Sequence, residues 1–156
     1  MLRVRTVARK AELVDARVID RVVLDAAERH RRRIVLTGEG GTSFLLDLPH
    51  ATMLRDGDGL VLEDGSIVRV AGKREPLVEL TAENSSDLAR LAWHIGNRHT
   101  DVQIVGDRLR IRRDHVVEEL LRRLGAQLSL IEAPFDPERG AYSEQHRHGH
   151  HHVDKE

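Results

Sequence analysis

Histidine is the side chain through which this chain can bind metals, because its 156 residues include ten histidines and no cysteine. Half of the histidines cluster near the C-terminus: His146, His148, His150, His151 and His152. Imidazole suits nickel, copper, zinc and cobalt. Arg147 and Gly149 interrupt the run, which favours a native tail over a purification tag. Ligands on one mobile segment raise each other's effective concentration, so this tail suits metal delivery or buffering better than catalysis, which needs a fixed site.

His99 differs from the tail histidines because it follows a predicted helix. Gly96 is expected to end that helix and to leave the imidazole of His99 facing outward. A lone histidine near a helix end is more commonly a capping or surface residue. Near the axis of a symmetric dimer, however, His99 would meet its own copy and supply two ligands. We therefore predict that His99 is half of a shared metal site that tail histidines complete.

The remaining histidines are weaker candidates. His115 opens a second predicted helix, where a peripheral metal ligand and a structural role are both consistent with its position. His94 lies off the apolar stripe of the first helix and is expected on its surface, and His30 and His50 are expected in solvated loops. A hydrolase dyad of Asp114 and His115 is disfavoured, because no nucleophile motif accompanies it.

The elements that must position His99 follow one another in residues 75–134. They are a strand at 77–81, a helix at 84–95, strands at 102–105 and 108–112, a helix at 114–124 and a strand at 127–131. Asn84 and Asp114 are expected to cap the two helices, and Gly125 to end the second. The order strand, helix, strand, strand, helix, strand is typical of a ferredoxin-like domain with both helices on one face of the sheet. We expect this domain to bind the metal and to dimerise.

Residues 1–74 predict a separate β-domain. Its predicted strands are 17–24, 32–37, 43–48, 60–63 and 67–70, with turn signals at 38–41, 56–59 and 64–65. Pro49 is expected to end the third strand. Frequent turns between short strands indicate a small antiparallel sandwich or barrel, so the whole chain is predicted to be α+β. Residues 135–156 show no periodicity and are predicted to form a disordered histidine-rich tail.

Composition restricts the classes of partner. The chain carries 25 basic and 26 acidic side chains, a balance that argues against general binding to nucleic acid. The N-terminus has no apolar signal core, and no apolar run approaches the length of a membrane span. We therefore expect a cytoplasmic protein without nucleic-acid or membrane partners.

Several blocks of sequence together resemble one family. From the N-terminus they are Leu54–Gly59, Asp64-Gly65, Ala92–His99, Leu109–Val116, Pro134–Tyr142 and the histidine tail. Together, in this order along the chain and over nearly its whole length, they resemble the UreE-type urease accessory proteins, a family of nickel metallochaperones.

The resemblance implies a β-domain with a peptide- or partner-binding role and a ferredoxin-like domain that binds metal and forms the homodimer. It implies delivery of Ni(II) to the urease apoprotein through an accessory GTPase. His99 matches the essential interfacial histidine of the family. His146 and His148 fall where tail histidines join it, and His115 matches a secondary metal position. Cu(II), Zn(II) or Co(II) would also suit such a site in vitro.

Three alternatives remain beside a nickel chaperone. Storage or buffering of nickel is not separable from delivery by sequence. An RNA-binding module would need aromatic residues on its central strands, and the predicted strands 102–105 and 108–112 contain none. A metalloenzyme would need a closed set of ligands in the folded domain with a general base, and His99 is the one well-placed histidine. We therefore predict that the protein is not an enzyme.

Overall fold

The chain folds as an α+β protein, and the computed structural model describes its residues 1–140. A strand-rich sheet comes first, and two helices alternate with strands in the part that follows. The predicted fold class and the ferredoxin-like order of elements are confirmed. The predicted histidine tail lies outside the described residues from position 141 on.

The elements have the following bounds. The strands are β1 (Leu2–Ala8), β2 (Val18–Leu24), β3 (His30–Thr37), β4 (Ser43–Met53), β5 (Gly59–Leu62), β6 (Ile67–Gly72), β7 (Glu75–Thr81), β8 (Gln103–Val105), β9 (Arg108–Arg112) and β10 (Gln127–Ala133). The helices are α1 (Ser85–Asn97) and α2 (His115–Arg123), and Lys10–Glu12 form one 3-10 turn. Within residues 1–140, no helix has the length and apolar character needed to cross a membrane.

The chain divides into two compact units. The first contains Met1–Glu79 and Ser129–Asp136, and the second contains Leu80–Leu128 and the described residues from Pro137 onward. The six-stranded sheet has the order β2-β6-β5-β1-β4-β3, and the four-stranded sheet has the order β10-β7-β9-β8.

The six-stranded sheet is mixed. Three of its pairings are antiparallel, whereas β1 pairs with β4 and β2 with β6 in parallel. The prediction of antiparallel strands is therefore wrong for two pairings. That prediction followed turns between strands that are adjacent in sequence, and both parallel pairs join strands that are distant in sequence. Strand β1 was not predicted, although Arg3 and Arg5 alternate with the buried Val4 as in a half-buried strand.

Strand β4 continues past Pro49, where it was expected to end. Arg33 of β3 pairs with Asp47 and Arg31 pairs with Thr52, so residue 32 stands opposite residues 48–51. Pro49 lies in this bulge. A bulged residue does not have to donate a ladder hydrogen bond, so proline is tolerated there.

The hairpin between β3 and β4 folds onto β2, at the opposite end of the strand order, so the sheet curls around its core. The N–H of Glu39 donates to the carbonyl of Arg21 at 2.8 Å, and Asp20 accepts from the N–H groups of Gly40 at 2.8 Å and Thr42 at 3.0 Å. The N–H groups of Gly40 and Arg21 lower the pKa of Asp20 to about 2. The folded pKa lies below the ordinary value, so ionised Asp20 stabilises the fold above about pH 4, and this stabilisation is lost as pH falls toward 2.

Arg29 is fully buried in the first unit and fixes the segment that follows β10. Its Nη1 donates to the carboxylate of Asp136, and its Nη2 donates to the carbonyl of Phe135 at 2.6 Å. Phe135 is fully buried as well. Residues 135 and 136 therefore belong to the folded part of the chain, although the loss of periodicity had suggested that the tail begins there.

The second unit buries one face of each helix and of the β8–β9 hairpin. The fully or almost fully buried apolar residues are Leu91, Ile95, Leu109, Ile111, Val117 and Leu121. Asp114 caps α2 by accepting hydrogen bonds from the N–H groups of Val116 and Val117, and Gly125 follows its end with φ of 93°. The predicted cap and the predicted end of this helix are confirmed.

We predict that Arg29→Met destabilises the first unit by about 3 kcal/mol, because it removes the buried guanidinium that donates to the Asp136 carboxylate and to the Phe135 carbonyl. Arg33→Met is the matched control, since Arg33 is 57% exposed and lies 3.7 Å from Asp47, and its loss should cost less than about 1 kcal/mol. Urea unfolding at pH 7 measures both. Equal effects of the two substitutions would contradict a buried clamp.

Candidate metal centre

Helix α1 positions the segment that carries His99. The side chain of Asn84 accepts a hydrogen bond from the N–H of Asp87 at 2.8 Å and thereby caps the helix. Leu91 and Ile95 are buried, and this packing fixes the rotation of the helix about its axis.

The chain reverses at His99 and not at Gly96, so the prediction that Gly96 ends the helix is wrong. Gly96 lies inside α1, and Arg98 is the C-cap. The N–H of His99 donates to Gly96 O at 3.0 Å, and the N–H of Thr100 donates to Ile95 O at 3.2 Å. This pair of bonds is the Schellman motif, in which the residue after the C-cap adopts a left-handed conformation. His99 occupies that position with φ of 56°.

Helix α2 ends with the same Schellman motif, and there a glycine, Gly125, occupies the left-handed position after the C-cap. The N–H of Gly125 donates to Arg122 O at 3.0 Å, and the N–H of Ala126 donates to Leu121 O at 3.0 Å. Glycine adopts a positive φ without steric cost, whereas other L residues lose roughly 1–2 kcal/mol there. His99 therefore takes a backbone position at which glycine would be more stable, and its side chain is exposed.

The apolar residues of α2 lie on two faces. The helical spacing of Val116, Val117, Leu120, Leu121 and Leu124 predicts one buried stripe. Of these, however, only Val117 and Leu121 are buried, whereas Val116 is 65% exposed and Leu124 is 41% exposed. Adjacent apolar residues such as Val116 and Val117 point about 100° apart on a helix, so the stripe is too wide for one core face. Pairs of adjacent apolar residues in the sequence of α2 are therefore the signal that identifies a second apolar surface.

The exposed face of α2 borders a groove of about 460 Å³. The candidate ligand His115 lines this groove, and so does Arg98. The other lining residues are Val116, Glu119, Leu120 and Arg123. His115 is exposed, and Arg98 directly precedes His99. The structure therefore places His115 on the groove itself, whereas His99 is connected to it through Arg98 and is not among its lining residues.

The other histidines of the folded part do not join this groove. His94 is half-buried, and its ring lies edge-on to that of Trp93, with 5.0 Å between the centroids. His30 and His50 lie in β3 and β4, so the prediction that they occupy loops is wrong. His50 lies within the bulge that contains Pro49, and His30 pairs with Met53 just beyond it. Strand β3 therefore begins earlier and strand β4 ends later than predicted.

The aspartates at 56–58 serve a turn. Asp56 accepts from the N–H of Gly72 at 2.9 Å, and Asp58 accepts from Arg9 Nη1 at 2.5 Å and from the N–H of Arg55 at 2.8 Å. Burial raises the pKa of Asp58. These contacts support the turn predicted at residues 56–59.

Glu138 fixes the chain to the second unit near His99, and sequence reasoning did not find it. Its N–H donates to Val102 O at 2.7 Å, and its Oε1 accepts from the N–H of Ile104 at 3.1 Å. Strand β8 is the edge of its sheet, where backbone N–H and C=O groups have no neighbouring strand to pair with. Glu138 bonds to two such groups, the Ile104 N–H and the Val102 carbonyl. Val102, to which Glu138 is bonded, follows His99 by three residues in sequence.

In the folded part of the chain, residues 1–140, no three side chains of histidine, aspartate, glutamate or cysteine form a group able to hold a metal ion. Within these residues, neither His99 nor His115 therefore belongs to a group of three potential ligands. The five tail histidines predicted as ligands, His146, His148, His150, His151 and His152, lie outside the described residues.

Two comparisons with protein families cover the chain almost completely. Residues 3–72 match the N-terminal domain of the UreE urease accessory protein, and residues 75–156 match its C-terminal domain. A urease accessory protein UreE of Chelativorans sp. (strain BNC1) is 46% identical over 152 residues, which are 97% of this chain and 94% of that protein.

Other relatives are more similar and longer. The urease accessory protein UreE of Bradyrhizobium sp. (strain ORS 278) is 57% identical over 131 residues, which cover 83% of this chain and 62% of that protein. That of Rhodopseudomonas palustris (strain HaA2) is 56% identical over 81% of this chain and 59% of its own length. The chain thus spans about three fifths of these longer relatives.

We predict that His99→Gly raises the free energy of unfolding by about 1 kcal/mol relative to His99→Ala, because glycine relieves the positive φ and alanine retains it. Gly125→Ala is the matched control, and it should lower stability by a similar amount. Urea unfolding without metal measures all three variants. If His99→Gly and His99→Ala are equally stable, the backbone at residue 99 is not strained.

Proposed function

The chain belongs to the UreE family of urease accessory proteins, and we propose that it is a nickel chaperone that acts as a homodimer in the cytoplasm. In this proposal it binds Ni(II) and delivers it for assembly of the dinickel centre of urease. An accessory GTPase and the urease apoprotein are the partners. Residues 1–74 bind a partner or peptide, residues 75–134 bind metal and dimerise, and residues 135–156 form the histidine-rich tail.

His99 is the rigid ligand of the proposed site, and its backbone is the observation that carries the proposal. The position takes a φ of 56°, the equivalent position of α2 holds glycine, and the imidazole is exposed. Strain of this kind is concentrated at functional sites. An exposed imidazole can accept a metal in place of a proton, and the absence of cysteine from the chain leaves nitrogen and oxygen donors.

A second copy of the chain supplies the second imidazole. The exposed Val116 and the half-buried Leu120 form an apolar surface beside Arg98 and His115. A two-fold interface uses the same surface on both copies, so residues near its axis meet their own equivalents. Association through α2 would bring the two copies of His99 toward each other and leave His115 as a peripheral ligand.

The tail completes the proposed shell. Glu138 is fixed to Val102 and Ile104, and His146 follows it by eight residues. Eight residues span at most roughly 26–29 Å, and His99 precedes Val102 by three residues, so the tail histidines have sufficient reach. His146, His148, His150, His151 and His152 are the proposed mobile ligands.

A shell that is rigid on one side and mobile on the other favours transfer over storage or catalysis. Two imidazoles hold the ion in place, and ligands on the tail exchange with those of an acceptor. An imidazole site binds copper more tightly than nickel, so selectivity must come from metal supply and from docking to the correct partner. Nickel is the cargo in this scheme, and the chain performs no reaction of its own.

Activation of urease apoprotein tests the proposal directly. We predict that the nickel-loaded chain, with the accessory proteins present, activates urease at least severalfold faster than free Ni(II) at equal total concentration. His99→Gly should reduce this advantage to the level of free nickel while the chain stays folded. Activation no faster than that by nickel bound to a simple buffer such as histidine would favour storage and contradict delivery.

We predict that Val116→Glu converts the dimer into a monomer, because it places a carboxylate in an apolar interface. Val14→Glu is the matched control, since Val14 is 77% exposed and lies far from α2 in sequence, within the first unit. Sedimentation equilibrium gives the mass of each variant. A dimer that persists in Val116→Glu would exclude this face of α2 as the interface.

A further inference from the structure

The outward side of strands β1, β4 and β3 in the first unit carries a group of arginines that the proposed nickel site does not use. The inward side chains of these strands, such as Val4, Phe44 and Leu46, are fully buried in the core. The side chains that alternate with them point outward. We call this surface the arginine face, and it consists of Arg3 and Arg5 of β1, Leu45 and Asp47 of β4, and Arg33 and Val35 of β3.

Positive charge exceeds negative charge on the arginine face. Asp47 is shared by Arg3 at 3.8 Å and Arg33 at 3.7 Å. Arg5 makes no ion pair with any residue that the structure describes, and the same holds for Arg31, which extends the face along β3 because it alternates with Arg33 and Val35. Both are exposed. The chain as a whole carries a net charge of −1, so these cations are concentrated locally.

Protection of a sheet edge explains only part of this cluster. Strand β3 is the edge of the six-stranded sheet, and charged residues on an edge strand hinder pairing with another chain. Strand β1, however, lies inside the sheet between β5 and β4, where no edge needs protection. Like charges on neighbouring strands repel each other. Asp47 offsets this repulsion at Arg3, whereas Arg5 adds a positive charge that the fold does not require.

We propose that the arginine face is a docking surface for an acidic segment of a protein partner. Guanidinium groups bind carboxylates through two parallel hydrogen bonds. Val35 is 56% exposed and pairs with the half-buried Leu45, so the face offers an apolar contact between its cations. Arginine around an apolar contact is typical of the residues that dominate protein interfaces.

A nucleic acid or a lipid surface fits the face less well than a protein. The described residues of β1, β3 and β4 include one aromatic side chain, Phe44, which is buried and unable to stack on a base. Asp47 lies between Arg3 and Arg33, where it opposes a continuous row of phosphates. Discrete carboxylates can contact the arginines on either side of it.

The test measures binding of an acidic peptide to the full chain without nickel, so that it is independent of the proposed metal site. The probe is a fluorescein-labelled peptide of about twelve residues that alternates glutamate and threonine, and binding is followed by fluorescence anisotropy at low salt. The face variant combines Arg5→Glu with Arg31→Glu. The matched control combines Arg90→Glu with Arg122→Glu, whose side chains are 73% and 55% exposed in the second unit, do not belong to the arginine face and give the same change in charge.

We expect the affinity for the peptide to fall about tenfold or more in the face variant and by less than about twofold in the control. Circular dichroism verifies that each variant is folded, and Arg5→Gln with Arg31→Gln replaces the face variant if it is not. Equal losses in both variants would overturn the proposal, since the peptide would then respond to net charge alone. Absence of binding to the wild-type chain would overturn it too. Tighter and face-dependent binding of a DNA duplex or of phosphatidylserine vesicles would overturn it in favour of a general polyanion surface.

Discussion

One imidazole supplies one lone pair to a metal ion, and residues 1–140 of this chain gather no group of three potential ligands around either candidate histidine. The proposed function depends on that constraint. A site must then be assembled from more than one copy of the chain, from the tail, or from both. His99 is suited to assembly because it lies on a tight reversal after α1, where the backbone fixes its position and solvent reaches its ring. The Schellman motif thus presents an imidazole on a rigid and accessible helix end.

Three other features support this arrangement at the level of packing. The second apolar face of α2 leaves Val116 exposed beside His115 and gives a second copy a surface to cover. Buried Arg29 fixes residues 135 and 136 to the first unit, and Glu138 fixes the following residues to strand β8 in the second. The last described residues are therefore held to β8, close in sequence to the turn that carries His99. In the proposed function, this attachment raises the effective concentration of the tail histidines at His99.

The sequence predicted what depends on local pattern. It identified both helices, the caps Asn84 and Asp114, the end at Gly125 and the order of elements in the second unit, because each has a short-range signal. It did not identify the parallel pairings of β1 and β2, since those pairings join distant strands. Gly96 was misread as a helix end because glycine is the usual residue in the motif, and packing of Leu91 and Ile95 holds the helix through it. The buried role of Arg29 has no local signal, because its partner Asp136 follows it by 107 residues.

Equilibrium dialysis with Ni(II) tests the central claim, that His99 is the primary metal ligand, most directly. The wild-type chain, His99→Gly and a chain that ends at Ser143 are compared at equal concentration and pH 7. The account predicts that His99→Gly loses the tightest site and keeps weaker sites on the tail, whereas the shortened chain binds fewer ions but retains a site that depends on His99. If His99→Gly binds nickel at its tightest site as well as the wild-type chain does, His99 is not the metal centre and the account is wrong.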